Sequence, residues 1–481
     1  MLFICGKLAV LTGLSKVVVL RNSSIGSRWS NHKLQRAWVT TVLLLVNASA
    51  FAAPVGADLH ALIDKHSAAI EAEVIAWRRD IHEHPELSNR EVRTAALVAK
   101  HLQELGLEVT TQVAHTGVVG ILRGSKATGL LGKVGGVSGG VVALRADMDA
   151  LPVTEQTGLA YASVAKGEYE GKEVGVMHAC GHDNHVAILM GVASVLSKVR
   201  EQFTGTVKFI FQPAEEGAPK GEKGGAELMI QEGVLTNPTV DAVFGLHISQ
   251  GGATGEVSYR PQGTMASAQR FDIEIQGRQT HAARPWAGVD PIAVGAQIVT
   301  ALQTIVSRNV DVTNTPAVVT VGTFHAGIRN NIVPDTASLS GTIRTFDPAV
   351  RADIHQRITN IVEQIASAMG ASATVEIDPG VPVTFNDVGL TESSLPTLRR
   401  VYGAGKVTDA PLITGAEDFA FFQERVPGFY FFIGARPKEL PVDKAIPNHS
   451  PLFYVDEAAL LPGVRAMASL AVDYLGQSQR K

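Results

Sequence analysis

The sequence predicts an α/β architecture in two parts. A main domain with a mixed, mostly parallel sheet flanked by helices is split by an inserted β-α-β-β-α-β module of ferredoxin-like order. Three observations carry this expectation. The chain has 481 residues, beyond the roughly 250–300 at which one hydrophobic core stops growing. Over the first half, short apolar runs alternate with helical patterns, as in βαβ units. Near Ala268 the rhythm changes to strand-helix-strand-strand-helix-strand for about 110 residues, and the first rhythm resumes after Pro382.

Residues 1–53 stand apart from the fold. Lys33 and Arg36 precede an apolar run over 37–50, which ends in the small-residue pattern Ala50-Phe51-Ala52. The run is shorter than the ~20 residues that span a bilayer. Positive flank, short apolar run and A-x-A site describe an export signal cleaved near Ala53, with an uncleaved membrane anchor as the alternative. The stretch before the run exceeds an ordinary n-region, so either translation starts further downstream or residues 17–20 serve another purpose. The expectation is an exported protein, periplasmic or secreted. Cleavage would remove Cys5 and leave Cys180 alone, unable to form an internal disulfide and therefore inert, reactive or metal-bound.

The main domain is expected over 58–262 and 379–478, and the insert over 263–378. Asp58 is placed to cap a helix in which Leu62, Ile63, Ile70, Val74, Trp77 and Ile81 share one face. A second helix runs from about 91 to 105 and stops at Gly106. Strands follow at 141–144, 207–211 and 242–246, with helices at 186–199 and 226–231. The glycine-rich stretch 124–140 has no periodicity and reads as a hairpin extension. In the insert, strands are expected at 269–276, 317–323, 337–344 and 374–377, and helices at 291–306 and 348–369. Tyr259-Arg260-Pro261 and residues 378–382 are the hinges, and the last helix covers 460–475. A cleft between the two parts is the natural place for a ligand.

Composition excludes several classes of function. Lys and Arg number 42 against 46 Asp and Glu, with no basic run, so a nucleic-acid surface has no support. Two cysteines exclude a disulfide framework and every cysteine-rich zinc module. Fifteen histidines invite a chemical question.

The densest polar constellation is His178-Ala179-Cys180-Gly181-His182-Asp183-Asn184-His185, expected in a loop before the helix at 186. A thiolate and an imidazole two residues apart can face one cation, with Gly181 letting the backbone bend between them. Next comes Gln212-Pro213-Ala214-Glu215-Glu216-Gly217 at the carboxyl end of a buried strand, where α/β folds place ligands. Consecutive side chains diverge, so one glutamate can hold metal while the other faces the reacting water. Residues 145–152 and His247 repeat this strand-end placement, although a single histidine after a strand is ordinarily only a polar stop. Asn448-His449-Ser450-Pro451 and Gly415-Ala416-Glu417-Asp418-Phe419 add two more polar loops. Carboxylates, imidazoles and one thiolate at several strand ends suit a pair of divalent cations sharing a hydrolytic water.

Seven strings in register carry a resemblance: ALRADMDALP (143–152), MHACGHDNH (177–185), FQPAEEG (211–217), QTHAARP (279–285), NIVPD (331–335), GAEDF (415–419) and NHSPLF (448–453). Together they resemble the amidohydrolase family of hippurate hydrolases, N-acyl-amino-acid hydrolases and auxin-conjugate (indole-3-acetyl-amino acid) hydrolases. That family sits within the clan of aminoacylase and glutamate carboxypeptidase metallopeptidases. The match runs from about Trp77 to Leu475, nearly all of the mature chain.

The resemblance implies a binuclear metal-dependent amidohydrolase acting on small N-acyl amino acids through metal-activated water. It implies Cys180, His182, Glu216, His247 and His449 as ligands of two divalent ions, with Cys180 as bridge and Glu215 as general base. The cysteine stands where the related carboxypeptidases have a bridging carboxylate, which leaves zinc, manganese and cobalt open. Asp149 would orient a ligand histidine, with a weaker case for Asp147. The insert resembles a lid and dimerisation domain of a homodimer. From it His281 would reach a site, the partner subunit's, to stabilise the oxyanion, while Asn331 and Arg344 would hold the substrate carboxylate. Two stretches, 124–140 and 218–223, are longer than the family's usual turns. A carboxypeptidase or dipeptidase on the same scaffold is the rival enzyme. A non-catalytic binding homologue is the rival from another class, although every ligand position and Glu215 are present.

Overall fold

The computed structural model describes residues 55–126 and 139–478. The expected leader with Cys5, and most of the glycine-rich stretch 124–140, lie outside the described residues.

The chain opens with α1 (Val55–Ala69), α2 (Glu71–Glu83), α3 (Val92–Glu104), β1 (Glu108–Val113), β2 (Gly117–Arg123) and β3 (Val141–Asp147). A small hairpin, β4 (Lys166–Tyr169) and β5 (Lys172–Gly175), leads to α4 (His182–Lys198), β6 (Thr206–Gln212) and α5 (Gly225–Gln231). Then come β7 (Ala242–Ala253), β8 (Val257–Tyr259) and β9 (Gln262–Met265). A second group follows: β10 (Gln269–Gln276), β11 (Thr280–His281), α6 (Pro291–Thr304), β12 (Ala317–Ala326), β13 (Ile332–Val333), β14 (Thr336–Thr345), α7 (Pro348–Ala368) and β15 (Ser372–Ile377). The chain closes with β16 (Thr384–Asn386), α8 (Val388–Tyr402), β17 (Val407–Asp409), α9 (Ala420–Gln423), β18 (Gly428–Arg436) and α10 (Leu460–Ser478).

Eight strands form the main sheet in the order β1-β2-β6-β3-β7-β18-β8-β17. Its centre, β6-β3-β7-β18, is parallel, while β1, β2 and β8 supply antiparallel pairs. Central parallel strands are covered on both faces and read as unbroken apolar runs; every residue of β6 is buried, and in β18 all but Arg436. Helix α4 is buried almost throughout because α2, α10 and β3 surround it.

The second sheet has the order β12-β14-β10-β15 and is antiparallel throughout. Counted along the chain, its strands lie second-third-first-fourth, the expected ferredoxin-like arrangement. Helices α6 and α7 each start with an aspartate cap and a proline, Asp290-Pro291 and Asp347-Pro348. They bury Val294, Ile298, Ile354 and Ile358 against Phe271, Ile273 and Leu339 in a core of their own. The chain leaves for this sheet and returns from it side by side, through the β9–β16 ladder and the Ala268–Val381 bridge.

Three local expectations are corrected. The helix expected to span Asp58 and Ile81 is two helices, because the chain turns at Ile70. There the Ser67 hydroxyl donates back to the Ile63 carbonyl at 2.7 Å, and Ile70 N–H bonds Ser67 rather than the residue four back. Asp58 consequently lies inside the first turn of α1 rather than at its cap. Helix α4 starts at His182, not Val186, so the His182–His185 segment is helical rather than loop. Gly181 makes this early start feasible: its φ is 98°, and a Cβ there would lie 2.6 Å from the Ile248 side chain. Finally, β7 runs to Ala253, which places His247 inside a strand rather than after one, because β18 continues the ladder beside it.

Candidate metal centre and cleft

The polar ends of the central strands and the first turn of α4 converge on one cluster. Cys180 Sγ lies 3.3 Å from His247 Nε2. Donor atoms of Cys180, His182 and His247 fall within 4.8 Å of one another, as do those of Cys180, Glu216 and His449, and those of His182, Glu215 and Glu216. The structure thus gathers all five residues expected to hold metal, together with Glu215.

The buried His182 and the half-buried His247 are each turned by a bond on the far nitrogen. His182 Nδ1 donates to the Asp149 carbonyl at 2.8 Å, with the Asp149 carboxylate at 3.3 Å. His247 Nδ1 donates to the Ile248 carbonyl at 2.8 Å. Both Nε2 atoms are left facing the cluster, the arrangement of metal-binding histidines. Among the described residues, His182 Nε2 and Glu216 Oε1 are buried without a hydrogen-bond partner, the latter 3.3 Å from His449 Nε2, and such converging donor atoms fit a cation. His185 is different. Its Nδ1 donates to Asp147 at 2.6 Å and its Nε2 accepts the Ile248 N–H at 2.9 Å, so it has no lone pair to spare.

Two residues with left-handed backbone aim the site from opposite sides. Ala214, φ 52°, precedes the glutamate pair; its N–H donates to the buried Glu91 carboxylate at 2.9 Å, while Glu216 N–H donates to Asp149 at 3.0 Å. His449, φ 69°, donates its N–H to the Ala179 carbonyl at 2.7 Å, and Asn448 Nδ2 donates to the Cys180 carbonyl at 2.7 Å. Non-glycine residues held at positive φ persist only where their surroundings over-determine them.

Negative charge exceeds positive around the cluster. Burial, then Glu216, Glu215 and Asp147, pushes the Cys180 thiol well above its ordinary range. Burial, then Glu417, Glu216 and Asp418, does the same to the Glu215 carboxyl. Burial opposes charge on His182, but Asp147 and Asp149 outweigh it and lift the imidazolium to about 10. A cation placed among these groups would reverse the first two shifts. A thiolate, carboxylates and imidazoles at this spacing fit divalent transition metals.

A cleft of about 480 Å³ adjoins the cluster, lined by Cys180, Glu215, Glu216, His247, His449 and Arg344 among others. Arg344 therefore meets the site of its own chain. His281 and Asn331 do not. They sit together at the separate two-stranded β11–β13 sheet, His281 in β11 and Asn331 just before β13, where Ala282 N–H donates to the Asn331 carbonyl at 3.1 Å, and both are exposed. His281 Nδ1 accepts the Ala283 N–H at 3.0 Å, which leaves Nε2–H as a free donor in the neutral ring.

Sequence reasoning named Asp147, Glu417 and Asp418 but missed the arginine that joins them beneath the cluster. Arg145, fully buried, ion-pairs with Asp147 at 2.5 Å, Asp418 at 2.8 Å and Glu417 at 2.9 Å. The Tyr430 hydroxyl donates to Glu417 at 2.5 Å. Glu215 shares a carboxylate cluster with Glu417 and Asp418. The available signal was Arg145 and Asp147 on the same face of a strand that is otherwise apolar.

Residues 143–473 match peptidase family M20/M25/M40. The thermostable carboxypeptidase 1 of Saccharolobus solfataricus is 40% identical over 407 residues, 84% of this chain and 96% of the relative. The N-acetyl-L-cysteine deacetylase of Bacillus subtilis is 38% identical over 392 residues, 82% and 86% of the two chains. Among solved structures, the YXEP protein of Bacillus subtilis, described as a dinuclear metal binding peptidase, superposes with a TM-score of 0.69 at 35% identity. That similarity covers 85% of this chain and 99% of the other.

Proposed function

The chain belongs to peptidase family M20/M25/M40 and is a metal-dependent hydrolase, and from that premise we propose that it cleaves the amide bond of N-acyl amino acids of acetyl, benzoyl or indoleacetyl type. The observation that carries this reading is the division of labour in the glutamate pair. Glu216 groups with Cys180 and His449 and Glu215 with Glu417 and Asp418, the two glutamates meeting at His182, and Arg344 lines the same cleft.

Cys180, His182, Glu216, His247 and His449 would hold two divalent cations, zinc or manganese with cobalt also compatible. When bound, these polarise the scissile carbonyl and acidify the attacking water. Glu215 takes a proton from that water on a carboxylate oxygen and delivers it to the leaving amine nitrogen. Arg344 grips the substrate's α-carboxylate with its planar fork. His281 and Asn331 act on the partner's site in a homodimer, His281 donating from Nε2 to the developing oxyanion and Asn331 helping to hold the carboxylate. Strand β12 supports such an assembly: it is a sheet edge exposing Val318 and Phe324. The second sheet then acts as lid and dimerisation domain. Lys33, Arg36 and the apolar run after them support export.

A carboxypeptidase or dipeptidase activity is the second reading, favoured by the 40% identity to a carboxypeptidase, since a dipeptide is also an acylated amino acid. A release assay over N-acetyl, N-benzoyl and indoleacetyl amino acids beside dipeptides, with zinc, manganese and cobalt varied, separates the two. The acyl conjugates are expected to turn over faster. Activity should vanish with chelator and return with metal; turnover indifferent to chelation, or confined to dipeptides, would overturn the proposal.

A further inference from the structure

Beyond the cleft lies a second chamber of about 250 Å³. Ser249, Ile413 and Phe432 line both cavities, so the two adjoin at those side chains. The sequence explains the space. Along one face of β7 the residues shrink from His247 to Ser249 to Gly251, and along the adjoining strand β18 from Phe432 to Gly434. Gly251 keeps ordinary backbone geometry, and a Cβ built there would meet only the Ser249 hydroxyl, at 3.4 Å. The near wall is apolar, with Ile413, Phe432 and Pro411; Glu256 and Asp409 add two carboxylates to the lining. Lys406 offsets one of them, pairing with Glu256 at 3.1 Å.

Ile413 of the chamber wall and Arg344 both line the cleft. The stretch 264–268 runs between them. Ile413 N–H donates to the Thr264 carbonyl at 3.1 Å and Ala266 N–H to the Ile413 carbonyl at 2.9 Å, at one end. At the other end Ser267 N–H donates to the carbonyl of Thr345, the residue after Arg344, at 2.8 Å, and Ala268 pairs with Val381. A substrate whose carboxylate is held by Arg344 thus meets Ile413 and Phe432 in the same cleft as apolar surface for its acyl group.

We propose that this chamber is an acyl-chain subsite: it receives the distal part of a medium-length acyl group and, with Glu256 already paired to Lys406, accepts an uncharged tip and refuses an anionic one through Asp409. The proposal rests on the N-acyl amino acid reading above and names the acyl class of that same site. Each buried methylene is worth roughly a fourfold gain in affinity, so even two seated in the chamber exceed tenfold.

The test is calorimetric binding to the metal-loaded Glu215→Gln protein, which does not consume its ligand, with N-acetyl-, N-octanoyl- and N-suberoyl-phenylalanine as probes. The octanoyl conjugate should bind at least tenfold tighter than the acetyl one, and the equally long suberoyl conjugate, with its terminal carboxylate, should lose that gain. Adding Gly251→Leu should abolish the octanoyl advantage while leaving acetyl affinity within about twofold. Thr408→Trp, on the exposed outer strand β17, should do the same from another wall. An octanoyl conjugate that binds no tighter than acetyl, or variants that weaken both probes equally, overturns the subsite. Turnover by the unsubstituted enzyme keeps the two readings distinct. Hydrolysis of the acetyl conjugate without any octanoyl gain removes the subsite and leaves the amidohydrolase. A chain-length gain without hydrolysis of any conjugate does the reverse.

Discussion

Glu215 and Glu216 are neighbours in sequence with opposite surroundings, and the turn at Ala214 makes the difference. Glu91 holds the Ala214 amide and Asp149 holds the Glu216 amide, so each carboxylate is aimed by a buried acid distant in sequence. Replacing Glu215 by Gln should leave metal content unchanged while kcat falls by about 10²–10⁴; metal analysis beside turnover checks both, and a near-normal rate would remove Glu215 from its role. Arg344→Ala should weaken substrates with a free carboxylate far more than their methyl esters, and equal loss on both would remove the carboxylate contact. The glutamate pair was legible in the sequence because it lies in a short string with its own chemistry, whereas Arg344 was reached only through the family resemblance. The roles of Glu91, His185 and Glu417 were not legible, because their partners are brought close only by the fold.

At the scale of elements, α2 is joined to the start of α4 by charge as well as by packing. Arg78 pairs with Asp183 at 2.8 Å, and His82 bridges Asp183 at 2.8 Å and Glu155 at 3.2 Å, in a pocket from which water is excluded. Burial opposes charge on His82, but Asp183 and Glu155 outweigh it, so its pKa is raised above 6.5. A histidine with a raised folded-state pKa contributes stability in full below its unfolded value and loses it as pH climbs through the folded one. The stability gap between the parent and His82→Gln should therefore shrink as pH rises from about 6 toward 9. Calorimetric melting at several pH values measures it, and a gap that widens would contradict the assignment. Arg145 ties β3 to the loop before α9 in the same manner. Arg145→Met leaves buried acids unpaired and should cost about 3–5 kcal/mol, read from denaturant midpoints. Periodicity located these elements to within a few residues but missed the break at Ile70 and the early start of α4. One depends on a serine bonding its own helix, the other on a glycine at positive φ packed against Ile248.

For the whole molecule, the position of His281 away from its own cleft makes a direct test of assembly. Glu215→Gln and His281→Ala should each be nearly inactive alone. Mixed under conditions that exchange subunits, they should recover about a quarter of the parent activity, because random pairing makes half the dimers mixed and each of these has one intact site. No recovery despite confirmed exchange would place His281 in service of its own chain. The two-part organisation was readable from the change of rhythm near Ala268. The side-by-side return through β9 and β16 was not, since strand pairing over such a distance leaves no trace in local pattern.

That shared doorway has an evolutionary consequence. Paired strands sit about 5 Å apart, so the whole segment between Ala268 and Val381 could be excised and the gap closed by a tight turn. What would remain carries Cys180, His182, Glu215, Glu216, His247 and His449; what would leave carries His281, Asn331 and Arg344. The metal-holding residues and the general base thus occupy one block of the chain, and the oxyanion donor and carboxylate grip another, so the second can vary while the metal cluster stays in place.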